Sequence, residues 1–263
     1  MRGVRDVRDV RGVRDVRDVR DVRDVRGLPL LVQKSAFQEQ NDLTMKKYLV
    51  EFIGAFFITL TVVLAGNNPG IAPMAPLAIG AMLAVMTYAS SHISGAHFNP
   101  AVTLAMLLRG KTERSEAAAY MVFQILGAIV AAAIGAYLHS SGGEAAITFH
   151  SNHDPIGSGL SELLGTFALV YVLLNVSPTS TQAENSHYGL AIGFTLMATI
   201  YGLGGISGGV FNPAVAIGAS VAGMYAAGDL WIYLTGAFVG GAAAATVYLI
   251  VMRDELGVMN DER

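Results

Sequence analysis

The sequence predicts an all-α membrane protein, with six transmembrane helices plus two re-entrant half-helices arranged as an inverted three-plus-three repeat. Three observations carry this. The 263 residues are 53% hydrophobic and only 14% charged, against about 25% charged in soluble domains. Lys and Arg are absent from Ser115 through Met252, where an ordinary soluble surface would need them. Finally, Ser94-Gly-Ala-His-Phe-Asn-Pro-Ala-Val102 and Ser207-Gly-Gly-Val-Phe-Asn-Pro-Ala-Val215 nearly repeat one another, with Asn99 and Asn212 113 positions apart.

Residues 1–44 are a different kind of segment. Val-Arg-Asp triplets run from Val4 to Arg26, and a period of three fits neither helix nor strand. Single valines among cancelling charges build no core, so 1–44 is expected to be a disordered low-complexity extension, from a misassigned start. Met45-Lys46-Lys47 resembles a natural beginning. The membrane domain is then 45–253, with repeats at about 45–140 and 156–253, and 254–263 is a short tail.

Six apolar spans follow in order, at about 48–66, 76–93, 116–138, 159–177, 188–206 and 230–251. Each is near the ~20 residues that cross a hydrocarbon core. Gly/Pro/Asn-rich connections such as Gly66-Asn-Asn-Pro-Gly70 separate them. Shorter apolar stretches start at the two tripeptides, roughly 99–109 and 212–222. At 1.5 Å per residue these cover about half a membrane. Asn as N-cap with Pro at the first helical position is good helix-start chemistry. Glu51-Phe-Ile-Gly54 matches Glu162-Leu-Leu-Gly165, so each half is three spans and one half-helix. Three is odd, so the second half inserts inverted, which brings discontinuous helices together near the midplane. Lys46, Lys47, Arg109, Lys111, Arg114 and Arg253 all fall on one side. The positive-inside rule makes that side, and both termini, cytoplasmic. Short loops suggest a prokaryotic plasma (inner) membrane.

Opposed half-helices place two positive dipole ends and the amides of Asn99 and Asn212 at the membrane centre. Two donors on one water interrupt a proton wire, and the dipoles oppose cations. Capping alone explains a single Asn-Pro-Ala but not two inverted copies. Glu51 and Glu162 lie inside apolar spans, where a carboxylate costs about 2.5–3.5 kcal/mol and needs partners. Gln124 is expected to satisfy interior backbone in the same way.

Taken together, the paired tripeptides, the Glu-x-x-Gly repeats and the three-plus-three layout resemble the major intrinsic protein (aquaporin) family over residues 45–253. The resemblance implies the aquaporin fold, a homotetramer with one pore per subunit, and a passive channel for water and small neutral solutes. It places Asn99, Pro100, Ala101, Asn212, Pro213 and Ala214 at the pore centre. It also implies that Glu51 and Glu162 hold backbone N–H groups of the re-entrant loops. Family water channels carry an Arg directly after the second tripeptide; here that position is Val215. The rest of the constriction falls on Ile79, Ile200 and Gly209. An Ile/Ile/Gly/Val ring lacks both side-chain donor and charge, favouring weakly hydrated neutral molecules such as ammonia, carbon dioxide or small alcohols beside water. Ile and Gly here, and Phe167-Ala-Leu-Val-Tyr171, resemble the plant tonoplast group, in some members of which a loop His adds to the filter; His150 is a candidate. His97 is a candidate for the vestibule or for pinning its loop.

Other classes are disfavoured. No nucleophile–base pair, metal spacing or phosphate loop is present in the sequence, so neither enzyme activity, cofactor, metal nor nucleic acid is expected. An ion-conducting channel and a structural membrane protein are the remaining alternatives. Lipid is the expected surroundings.

Overall fold

The computed structural model describes residues 30–68, 70–142, 154–177 and 185–252. It divides into units 1–47 and 48–263. In the first, the described residues are the opening turns of α1 (Leu30–Gly66). The expected disorder of 1–44 therefore does not extend over Leu30–Thr44, which is helical. The reason is local: after Pro29 there is no Gly or Pro until Gly54, and helix formers dominate. The side chain of Gln38 also donates to Asp42 one turn on, at 3.0 Å. Residues 1–29 and 253–263 lie outside the described part.

The second unit holds the rest of α1 and α2 (Ala75–Ser94), α3 (Pro100–Leu108), α4 (Arg114–Ser141), α5 (Pro155–Val176), α6 (Tyr188–Ser207), α7 (Pro213–Val221) and α8 (Leu230–Val251). Among the described residues, six helices are long and apolar enough to cross a membrane. The two of nine residues, α3 and α7, are not; at 1.5 Å per residue each reaches about 13 Å.

The surface of α4 is largely sorted by size, Tyr120 and Gln124 being the large buried exceptions. On α4, Val122, Leu126, Val130 and Ile134 are exposed at four-residue intervals, while Ala117, Gly127, Ala128, Ala131 and Gly135 are buried. Large apolar side chains outside and small residues inside suit lipid surroundings and close helix contact. Glycines mark the crossings. A Cβ at Gly80 would lie 2.6 Å from the Gly193 carbonyl, and one at Gly193 would strike that of Gly80. Gly127 and Gly240 likewise face the carbonyls of Phe52 and Leu163.

The half-helices are exchanged between repeats: α3 packs on α8, and α7 on α4. Gly241 allows this on one side, since its missing Cβ would lie 2.8 Å from Ala101 O. On the other, Gly218 faces Ala128 O at 2.8 Å. Each half-helix therefore packs chiefly on the other repeat and secondarily on its own, α3 on α4 and α7 on α8.

Candidate functional site: a cavity between two re-entrant loops

Each re-entrant loop leaves a membrane helix through a left-handed glycine, Gly95 (φ 89°) or Gly208 (φ 95°). It then reaches an Asn N-cap in extended conformation. Between them, Phe98 (φ 52°) and Phe211 (φ 51°) also sit in the left-handed region, which costs a non-Gly residue about 1–3 kcal/mol. Two features hold them there. Each ring lies directly on a glycine of the first helix of its repeat, Gly54 or Gly165, where any Cβ would collide with it. Each backbone N–H donates to a buried carboxylate, Phe98 to Glu51 Oε2 at 2.7 Å and Phe211 to Glu162 Oε2 at 2.6 Å.

The carboxylates collect further donors. Glu51 Oε1 accepts from Ser94 Oγ (2.6 Å) and His97 N (3.0 Å), and Gln124 Nε2 donates to Oε2 at 2.7 Å. Glu162 Oε1 accepts from Ser207 Oγ (2.6 Å) and Val210 N (3.0 Å). Both glutamates are fully buried, so these bonds supply the partners a carboxylate needs away from water. Gln124 also donates to Thr103 Oγ1 at 3.0 Å, and His97 Nδ1 lies 3.1 Å from the same hydroxyl.

The two loops meet through their asparagines. Asn99 Nδ2 donates to Phe211 O at 2.9 Å, and Asn212 Nδ2 donates to Phe98 O at 3.0 Å. Each Oδ1 caps its own half-helix, accepting from Ala101 N at 2.8 Å or Ala214 N at 2.9 Å. The amides are thus held by bonds on both sides. Each amide nitrogen has two hydrogens, so one per asparagine remains for whatever occupies the cavity that Asn99 and Asn212 both line. Pro100, Ala101, Pro213 and Ala214 are buried in the starts of the half-helices.

The cavity volume is about 50 Å³, above the roughly 10–15 Å³ needed to admit a water. Its walls come from both repeats in pairs: Ile58 and Leu169, Val62 and Leu173, Ile79 and Ile192, Leu83 and Leu196, Val102 and Val215. Ile200, Gly208, Gly209 and Val210 line it as well. The four residues expected at a constriction, Ile79, Ile200, Gly209 and Val215, are all among the lining. Gly209 does not simply leave room: a Cβ there would come within 3.3 Å of Ile200 Cα and Cγ2, so the loop backbone closes onto α6. The polar side chains of the lining are His97, Asn99, Asn212 and Tyr225; no cation is among them.

His97 is among the lining residues and is 3% exposed. His150 lies outside the described residues. Tyr225 escaped the sequence reading, because no spacing from the tripeptides points to it; it follows α7 in a turn and reaches the cavity only through the fold.

An all-helical membrane bundle with two half-helices abutting end to end across a narrow, mostly apolar cavity defines a channel of the multi-pass class. Residues 36–248 match the family described as Major intrinsic protein, and the chain belongs to that family. It is 41% identical over 212 residues to the Glycerol uptake facilitator protein-like 6 of Lactiplantibacillus plantarum, covering 76% of this chain and 95% of that one. It is 34% identical to Nodulin-26 of Glycine max, over 79% of this chain and 78% of the relative. The X-ray structure of the aquaglyceroporin from Plasmodium falciparum superposes with a TM-score of 0.66 at 20% identity, covering 78% of this chain and 95% of that one. At that identity the likeness is one of fold.

Proposed function

We propose that this channel passes water together with small neutral solutes and excludes ions and protons. The observation that carries the reading is the crossed pair Asn99–Phe211 O and Asn212–Phe98 O. It presents two fixed amide donors, each at the N-terminus of a half-helix, to a cavity that is otherwise chiefly apolar. A water between them is oriented as acceptor from both sides, and it cannot pass a proton onward without turning. The dipole ends oppose cations. Ile79, Ile200, Gly209 and Val215 form the outer constriction in this reading, and Glu51, Glu162 and Gln124 brace the loops. With Val215 contributing no charge, exclusion of cations rests on the asparagine centre. The name of the Lactiplantibacillus relative supports glycerol as one of the solutes. The chain works as a homotetramer in the lipid of a plasma membrane with both termini cytoplasmic.

A second reading is favoured by one observation, the apolar side chains of Ile79, Ile200 and Val215 in the cavity lining: facilitation of ammonia, carbon dioxide or small alcohols with little preference for water. Stopped-flow measurements on proteoliposomes separate the two. Water and glycerol fluxes well above protein-free vesicles, without proton current, are expected. Fluxes of ammonia and carbon dioxide alone would establish the second reading. Single-channel currents would replace both with an ion channel.

A further inference from the structure

Resting on the reading of the cavity as a solute pore with an outer constriction, we propose that Tyr201 is a positioning residue for selectivity. Its hydroxyl ties the outer end of α6 to the start of α2, and that tie sets how wide a solute the constriction admits.

The tie is one of a pair related by the inverted repeat. Tyr201 Oη donates to Pro73 O at 3.3 Å, and Tyr88 Oη donates to Ser186 O at 3.2 Å. Tyr88 and Tyr201 are 113 positions apart, as are Pro73 and Ser186, and as are the two asparagines. Each tyrosine stands six residues before the end of its helix and reaches the carbonyl two residues before the other helix begins. Between the two ties, Gly80 and Gly193 bring the backbones into contact. The pair α2–α6 is thus fixed at its crossing and tied by a tyrosine on either side of it.

The two ends are not fastened alike. At the inner end, Tyr88 Oη also accepts from Leu190 N at 3.1 Å, and its ring meets that of Tyr188 with centroids 5.2 Å apart. Tyr188 Oη in turn lies 2.5 Å from Ser91 Oγ. At the outer end, the bond from Tyr201 to Pro73 O stands by itself among the described residues. It holds the part of the pair that meets the solute, because Ile200, next in the chain to Tyr201, and Ile79, soon after Pro73, both line the cavity. Ile200 cannot yield toward the loop, since the backbone of Gly209 already closes on it. Room for a wide solute comes instead from α6 parting from α2, which breaks the tie. Within the subunit α6 is lightly packed on its far side: Gly202 and Gly205 face open space, and Tyr201 is 53% exposed. Water needs no such movement, whereas the three-carbon chain of glycerol does.

The test compares wild type with Tyr201→Phe and Tyr88→Phe, each of which keeps its ring and removes one oxygen. Water and glycerol fluxes are measured by stopped-flow in proteoliposomes, alongside thermal unfolding in detergent. An average interhelical hydrogen bond in a membrane protein is worth a factor of about three. Tyr201→Phe should therefore raise the glycerol-to-water flux ratio by up to about threefold, with water flux unchanged. Tyr88→Phe, which loses the bonds to Ser186 O and Leu190 N, should lower the unfolding temperature more and leave the ratio as in wild type. An unchanged or lowered ratio in Tyr201→Phe would overturn the proposal while leaving the pore reading intact, and would make Tyr201 an ordinary interfacial aromatic. An equal rise in Tyr88→Phe would overturn it too, by tracing the effect to general loosening of the helix pair. A wild-type protein that conducts neither water nor glycerol would remove the pore reading, and this inference with it.

Discussion

The two re-entrant loops have nearly the same backbone and very different side-chain surroundings. Gly95 pairs with Gly208 and Phe98 with Phe211 in φ, and the asparagine bonds are reciprocal. Around the first loop, Thr103, His97 and Gln124 form a hydroxyl–imidazole–amide cluster with Glu51. Their counterparts around the second are Ala216, Val210 and Ala237, all buried and apolar. One half is held by a polar network, the other by packing on a carboxylate with fewer donors. The backbone path and the crossed asparagines are what the pore centre needs, and they are shared. The scaffold behind them is free to differ, and the second loop has lost polar side chains at the end where Val215 also lacks charge.

Removing a carboxylate should have the largest effect. Glu51→Ala strands the buried donors Ser94 Oγ, His97 N, Phe98 N and Gln124 Nε2, at about 1–3 kcal/mol each. Glu162→Ala strands Ser207 Oγ, Val210 N and Phe211 N. Both should unfold at much lower temperature in detergent, Glu51→Ala lower still; the reverse order would contradict the contrast drawn between the loops. Next, Gly54→Ala and Gly165→Ala should each cost about 1–3 kcal/mol through overpacking against Phe98 or Phe211. Equal losses in thermal unfolding are expected, because the ring-on-glycine contact is common to both repeats.

Gln124→Ala should destabilise by a comparable amount, about 1–3 kcal/mol, and the same assay reads it. Val215→Arg should lower glycerol flux by a larger factor than water flux in stopped-flow assays; unaltered selectivity would move the constriction elsewhere. The smallest effect is expected from deleting residues 1–44, outside both repeats: transport by the truncated protein should equal that of the full chain.

Much of this was legible in the sequence because it is written in local chemistry. Apolar length defines the six spans, and Asn-Pro defines the two half-helix starts within a residue of where they occur. The duplicated Glu-x-x-Gly pairs the repeats, although nothing in it says that the glycine is there to receive a phenylalanine ring. The helix from Leu30 to Thr44 was obscured by the triplet repeat before it, whose composition does not extend past Arg26. Tyr225 was invisible for a different reason: it has no repeat counterpart in sequence, and it reaches the cavity lining only through the fold.

By itself, then, the sequence determined the number and kind of membrane elements, their inversion, and the two asparagines, because hydropathy and helix capping act over a few residues. Only the tertiary structure decided that each asparagine donates across to the other loop's phenylalanine carbonyl, and that α3 and α7 seat on the opposite repeat. It alone also decided that the missing side chain of Gly209 is taken up by contact with Ile200, and that Tyr225 is among the cavity's lining. Those features arise from helices meeting at glycine crossings, where ångström-scale distances between residues a hundred positions apart set which groups touch.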